Sequence, residues 1–313
     1  MKRKAGWLVV TLAAVSIMAA GCNNKKADTD VYTQKVTYQE GYGTIEGKGL
    51  SYKLDKKKKT AVVESYSDMT IEKVKIPDLL SYKDKEYKVT GIAESAFESN
   101  TGMKQLKMGK NVKEIATNAF YACTSLEKVD LSGDLQTIGK ESFAECTSLK
   151  EITWGKKLKS IGEKSFRSCE ALKTVKLPDS LESTGAETFI DCIGLEEVIW
   201  GKKCVEISAG VFSNCTELKK VTIPKSVVSI ASEAFWACES LKELAIPESV
   251  TTISERAFYS AGLTKLRFPK SVASVKPEIL EGMSDITEVQ VPKDKKAMYE
   301  DAFAEYGVEI KEY

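Results

Sequence analysis

The chain contains no histidine. That absence excludes Ser-His-Asp triads, Cys-His dyads and histidine-based metal centres built from this chain alone. No glycine-rich phosphate loop is present, and no two cysteines stand in the C-x-x-C spacing of zinc or redox sites. Charge of one sign is lacking as well: 46 Lys and Arg balance 45 Asp and Glu, for a net charge of +1. Without a basic stripe interleaved with stacking aromatics, nucleic acid is not an expected partner. Adjacent carboxylates such as Glu196-Glu197 and Glu300-Asp301 remain. Neighbours on a strand point to opposite faces, however, and pairs on a helix surface are normally solvated charge. The expectation is a non-enzyme with no catalytic residue, no cofactor and no metal.

What the sequence has is a period. Phe97, Phe120, Phe143, Phe166, Phe189, Phe212, Phe235 and Phe258 stand 23 residues apart without a slip. A fixed period of this size marks a solenoid, in which each unit buries its apolar face only by stacking on its neighbours. Solenoids offer extended surfaces for binding rather than closed pockets for chemistry.

Every position of the unit has a role. Three residues after phenylalanine comes Cys123, Cys146, Cys169, Cys192, Cys215 or Cys238, and six after it a leucine from Leu126 to Leu241. Nine and eleven after it come apolar pairs such as Val129/Leu131, Ile152/Trp154, Val198/Trp200 and Val221/Ile223. Two apolar residues flanking a polar one predict a short strand with one buried face. Pro178, Pro224, Pro247 and Pro269 end four of these strands, because proline cannot continue a ladder. Trp154 and Trp200 occupy the buried slot, followed by Gly155 and Gly201, and read as core fillers. A second apolar cluster, for example Leu135/Ile138, leads into the phenylalanine, where a turn of helix is expected on the opposite side. The repeat at Phe258 is one residue short, and with that slip Leu280 takes the phenylalanine place. Ten strands from Ile76 to Val291 at the usual separation predict a stack roughly 45 Å long.

Both ends of such a stack need caps. Alternation through Leu50, Tyr52, Leu54, Ala61 and Val63 around Asp55–Lys59 predicts a β-hairpin. Lys296 to Tyr306 predicts a helix with Met298, Ala302 and Tyr306 on one face, stopped by Gly307 and followed by a last strand through Val308 and Ile310. The implied segments are a leader over 1–21, a tether over 22–40, an N-terminal β cap over 41–88, repeats over 89–292 and a C-terminal cap over 293–313.

The leader rests on its own pattern. Lys2, Arg3 and Lys4 precede an apolar run from Trp7 to Ala20, and small residues lead to Gly21-Cys22. Basic, apolar and small-residue regions in that order predict a secretory signal peptide, too short for a mature membrane span. The cysteine after the small residues resembles a bacterial lipobox, which implies lipidation at Cys22 and a protein held outside the membrane by its lipid alone. The remaining cysteines form one column plus Cys204, which stands where Leu135, Leu158, Leu181, Val227 or Val250 stand elsewhere. Parallel Cβ vectors in a column are poor disulfide geometry, so free buried thiols are expected.

Binding has two candidate surfaces. The outward column of the strand face holds Lys128, Asp130, Glu151, Thr153, Lys176, Glu197, Ile199, Lys220, Thr222, Glu243, Ala245, Lys265 and Arg267. Its middle, around Thr153, Ile199, Thr222 and Ala245, is uncharged. The other surface is a lateral edge carrying Tyr121, Trp236 and Tyr259, where Trp236 and Tyr259 stand one repeat apart, as in a sugar-stacking or hot-spot pair. Lysines Lys156, Lys157, Lys202, Lys203, Lys225 and Lys270 mark one flank, interrupted by Asp134, Asp179 and Glu248.

The unit I-x(4)-F-x(2)-C-x(2)-L-x(2)-V-x-[LI]-P, read from Ile207 through Pro224, resembles the BspA-like, or Treponema pallidum-type, leucine-rich repeat. The resemblance covers roughly Thr90 to Pro292. It implies an α/β solenoid: a right-handed leucine-rich repeat stack of 23-residue units, with a β-hairpin cap before it and a helix-strand cap after it. It also implies a surface protein that adheres to host matrix proteins or to other bacteria, without transferring any binding motif to particular positions. Three functions stand open: an extracellular protein as partner, a structural spacer in the envelope, or a glycan-binding module.

Overall fold

The computed structural model describes residues 36–37, 49–82 and 85–313. The expected signal peptide over 1–21, the expected lipidation site Cys22, nearly all of the tether and the first residues of the N-terminal cap lie outside the described residues. Within the tether segment, Val36–Thr37 pairs antiparallel with Ser51–Tyr52.

Most repeats are one coil with two short strands. The first is three residues long, as in Lys128–Asp130, with its central valine buried and Lys128 exposed. The second has two residues, as in Thr137–Ile138, with the isoleucine buried. Both pair in parallel with their equivalents one repeat away: Lys128 faces Glu151, Val129 faces Ile152, and Ile138 faces Ile161. A constant register of 23 residues follows directly from the period, because any slip would turn the apolar set to solvent. Between the two sheets run the buried columns. The eight phenylalanines stack from Phe97 to Phe258, with centroids 4.7 Å apart at the start of the column and up to 5.9 Å apart further on. Tyr66 of the hairpin begins the stack, 5.2 Å from Phe97.

The expected turn of helix beside each phenylalanine is not there. Residues two before and two after it take left-handed backbone conformations: Asn118 and Ala122 around Phe120, Lys164 and Ser168 around Phe166, Glu233 and Ala237 around Phe235. Alternation of right- and left-handed residues turns every second N–H along the stack axis. Asn118, Phe120 and Ala122 donate to the carbonyls of Lys140, Ser142 and Ala144 in the next coil, whereas Tyr121 donates back to Asn118. A helix would spend all its donors within its own coil. This arrangement costs about 1 kcal/mol per left-handed residue, offset by a third inter-coil ladder. The only α-helix among the described residues is Lys296–Ala302.

The cysteine column takes part in the same network. Each thiol of Cys123, Cys146, Cys169, Cys192, Cys215 and Cys238 donates to a phenylalanine carbonyl of the preceding coil at 3.1–3.4 Å. These residues and Cys204 are free and buried. Burial pushes the Cys204 thiol up to about 11 and raises Cys238 further. Since the thiolate is the reactive species, titration of native protein with a thiol reagent at neutral pH is expected to leave all of these described cysteines unmodified. Rapid native labelling would contradict it, as would a failure to label after denaturation without reductant.

The long strand face departs from one continuous ladder. Lys73–Lys75, Gln105–Lys107, Lys128–Asp130 and Glu151–Thr153 form one sheet. Thr174–Lys176, Glu197–Ile199 and Lys220–Thr222 form a second. Lys265–Arg267 joins Glu288–Val291 and Glu309–Glu312 in a third, and Glu243–Ala245 forms no strand. At the first break Trp154 fills a slot that takes leucine in the coils on either side. Leu131 donates to Thr153 and Leu177 to Ile199, but the equivalent bond from Trp154 to Lys176 is not made. The second break coincides with the one-residue shortening of the next coil.

At the front, Leu50–Asp55 and Thr60–Tyr66 form an antiparallel hairpin, and Asp55 closes its turn by accepting from the N–H groups of Lys57 and Lys58. At the other end the helix buries a different face from the one expected. Tyr299 and Phe303 are buried against Phe268, whereas Met298, Ala302 and Tyr306 are only partly covered. The last strand pairs in parallel with Glu288–Val291. Lys311 and Gln290 donate to Glu288, whose side chain is 9% exposed, and they hold its carboxyl down at about 2. A carboxyl depressed in the fold stabilises it fully above the ordinary glutamate value of 4.5, and that contribution is lost as pH falls towards 2. Urea midpoints compared at about pH 5 and about pH 2 should therefore drop more for the unaltered chain than for Glu288→Gln.

Candidate binding groove on the strand face

Period-23 stacking places the expected strand-face residues in two outward columns. All are exposed or half-buried, and Glu243 and Ala245 lie on the same side although their segment forms no strand. Register then decides what their charges do. Lys128 pairs with Glu151 at 2.6 Å, Lys220 with Glu197 at 2.7 Å, Lys107 with Asp130 at 3.8 Å and Lys265 with Glu288 at 3.7 Å. The neighbouring columns behave alike: Lys150 meets Glu127, Lys157 meets Asp134, and Lys173 and Lys219 share Glu196. Opposite charges one coil apart neutralise one another along the stack. Each such exposed pair contributes about 0–1 kcal/mol. Arg267 is also engaged, with its guanidinium 3.7 Å from the centre of the Tyr313 ring.

Between the two breaks in the ladder the face sinks into a groove of about 1060 Å³. Trp154, Leu177, Trp200, Ile199 and Pro178 supply its apolar lining. The alternation that shapes it is visible along one slot, where Trp154, Leu177, Trp200 and Ile223 succeed one another and Gly155 and Gly201 alternate with Pro178 and Pro224 at the next position. Each indole stands nearly perpendicular to a core ring, Trp154 to Phe166 at 5.5 Å and Trp200 to Phe212 at 5.4 Å. Trp200 is buried, 3% exposed, as a core filler should be. Trp154 is only half-buried and shows part of its ring to the groove. Lys156, Lys176, Lys202 and Lys225 rim the groove together with Asp179. The Lys202 ammonium, 2.7 Å away, holds the Asp179 carboxyl below the usual range.

Of the expected strand-face residues, the groove gathers Lys176, Ile199 and Thr222. Sequence reasoning placed Trp154 and Trp200 wholly in the core and did not connect them to this face. The available signal was the paired substitution itself, a bulky ring followed by glycine in two coils that flank a Leu-Pro coil.

The lateral edge divides. Trp236 and Tyr259 stack with centroids 6.4 Å apart and planes 18° apart, and Trp236 is 37% exposed. Tyr121 stands five coils away, about 24 Å along the stack. Its hydroxyl donates to Glu145, which also accepts from Arg167, and that bond to a carboxylate raises the phenol above its ordinary value. Tyr121 and the Trp236/Tyr259 pair are thus two separate features.

Among the described residues no group of histidine, cysteine, aspartate or glutamate is arranged to hold a metal, and no helix is long and apolar enough to cross a membrane. A family model described as the BspA type leucine rich repeat region matches residues 63–196 and 205–312. The chain belongs to that family. As a BspA-type repeat protein it has a fold suited to protein–protein interaction at surfaces, and leucine-rich repeat proteins are typically non-enzymatic scaffolds. The T. pallidum leucine-rich repeat protein is similar in structure, with a TM-score of 0.57 and 25% identity over 62% of this chain and 88% of that one. A leucine rich cell surface protein of Faecalibacterium prausnitzii is 16% identical over 84% of this chain and 98% of its own, with a TM-score of 0.32. The pneumococcal vaccine antigen PcpA is 16% identical over 86% and 98%, with a TM-score of 0.36. A search of curated proteins finds no match.

Proposed function

We propose that this BspA-type protein is exported, anchored by lipid at Cys22, and binds an extracellular protein, of host matrix or of another bacterial surface, through its strand face. The observation that carries the reading is the groove between Trp154 and Thr222, an apolar recess on an otherwise charge-paired surface. Apolar recesses of this kind supply the desolvated centre that protein interfaces need. A second reading, a glycan held on the Trp236/Tyr259 pair, is favoured by their parallel stacking and by the exposure of Trp236.

Label-free binding of the soluble fragment 39–313 to matrix proteins, bacterial surface extracts and glycans tests both. Strand-face binding is expected to weaken between low and physiological salt and to fall with Lys176→Glu. A glycan hit lost with Trp236→Ala but indifferent to salt would favour the edge instead. If the folded fragment binds nothing, a spacer role in the envelope becomes the better account. The anchor is tested separately: Cys22→Ser should move the protein from the membrane fraction to the soluble fraction, and unchanged fractionation would refute lipidation there.

A further inference from the structure

Several lysines around the groove lack the carboxylate partner that Lys107, Lys128, Lys157 and Lys220 find one coil away. At the groove, Lys202 is spent on Asp179. Lys156, Lys176 and Lys225 have no carboxylate partner among the described residues, and Lys176 meets Asp179 only at longer range. Two ammonium groups with no carboxylate partner, Lys156 and Lys225, and a third, Lys176, compensated only at longer range by Asp179, therefore surround an apolar floor. In the outward column, where the other coils carry polar or small residues, the coil over that floor carries Ile199.

We infer that the groove takes an acidic peptide segment carrying a bulky apolar side chain. The apolar side chain would lie on Ile199 and the exposed part of Trp154, and the segment's carboxylates would meet Lys156, Lys176 and Lys225. Charge complementarity selects an acidic occupant, since a basic one would face three like charges. The burial of the indoles favours peptide over sugar. Trp200 is buried and Trp154 half-buried, so neither ring lies freely open for a pyranose to stack on. The inference deepens the strand-face reading and rests on it.

The test uses the full chain in detergent and a short synthetic peptide in which glutamates flank a central leucine-phenylalanine pair. Controls are the same peptide with lysines in place of glutamates, and heparin as an anionic glycan. The acidic peptide is expected to bind and the basic one not. Changing Lys156, Lys176 and Lys225 together to Gln should weaken binding about tenfold. Ile199→Thr restores the residue type of Thr153 and Thr222 without disturbing the fold, and it should weaken binding several-fold. Absence of peptide binding, equal binding by the triple variant, or binding of heparin in preference to the peptide would each overturn the inference. Capture of an extracellular protein that survives the triple variant would remove the groove but leave the strand face as the binding surface. Loss of all macromolecular binding by the unaltered chain would remove both.

Discussion

Phe189→Ala is expected to lower the stability of the stack by about 4 kcal/mol, read from urea unfolding followed by circular dichroism. The ring is fully buried and lies 5.4 Å from Phe166 and 5.9 Å from Phe212. Its removal would leave a cavity that adjacent coils cannot close, because their own rings are held by the coils beyond. Contacts in a solenoid run only between neighbours, so the loss falls on a single interface in the middle of the array. The two halves are then expected to melt less cooperatively, with probes from each half giving transitions that no longer coincide. Phe189→Leu should cost far less, since a leucine retains most of the buried volume. An alanine variant within about 1 kcal/mol of the parent would mean that the column is not the dominant core.

Gly262→Ala should cost about 2–3 kcal/mol, from steric conflict alone. Here the chain runs against the preceding coil, as it also does at Gly102 in a coil of full length. A Cβ on Gly262 would stand 1.8 Å from the Glu239 carbonyl oxygen and 2.7 Å from its carbon, both of them backbone atoms. Neither can move without breaking the inter-coil register, which here includes the bond from the Gly262 N–H to the Cys238 carbonyl. Gly307 is the control. It has a φ of +65°, and a Cβ added there would meet nothing within 4 Å, so alanine should cost only about 1 kcal/mol, for conformation alone. Equal losses at the two sites, measured in the same unfolding assay, would refute the close-packing argument.

The repeat was legible in the residues because a solenoid writes its core at a fixed spacing. Phe120, Cys123, Leu126 and Val129 are each buried at the place that the period assigns them. The hairpin was legible for a similar reason, since Leu50, Tyr52 and Leu54 alternate with polar neighbours. The turn beside each phenylalanine was not. Residues such as Glu141, Lys164 and Glu187 carry no side-chain signal for a left-handed backbone, and it is the carbonyls of the next coil that hold them there. The C-terminal helix starts at Lys296 as expected but ends at Ala302, short of Tyr306, and it is rotated, because which face of a short helix is buried depends on where Phe268 stands, not on the helix itself.

The candidate site follows the same division. By itself the sequence determined the period, the buried columns and the outward exposure of Lys176, Ile199 and Thr222, because burial in a stacked coil is a local consequence of apolar spacing. Tertiary structure alone decided that Trp154 interrupts the ladder, that its ring reaches a groove, and that some lysines find carboxylates while Lys156, Lys176 and Lys225 do not. Those outcomes depend on distances between coils of a few ångströms, set by how bulky rings and glycines pack against their neighbours. Spacing along the chain carries no record of such distances.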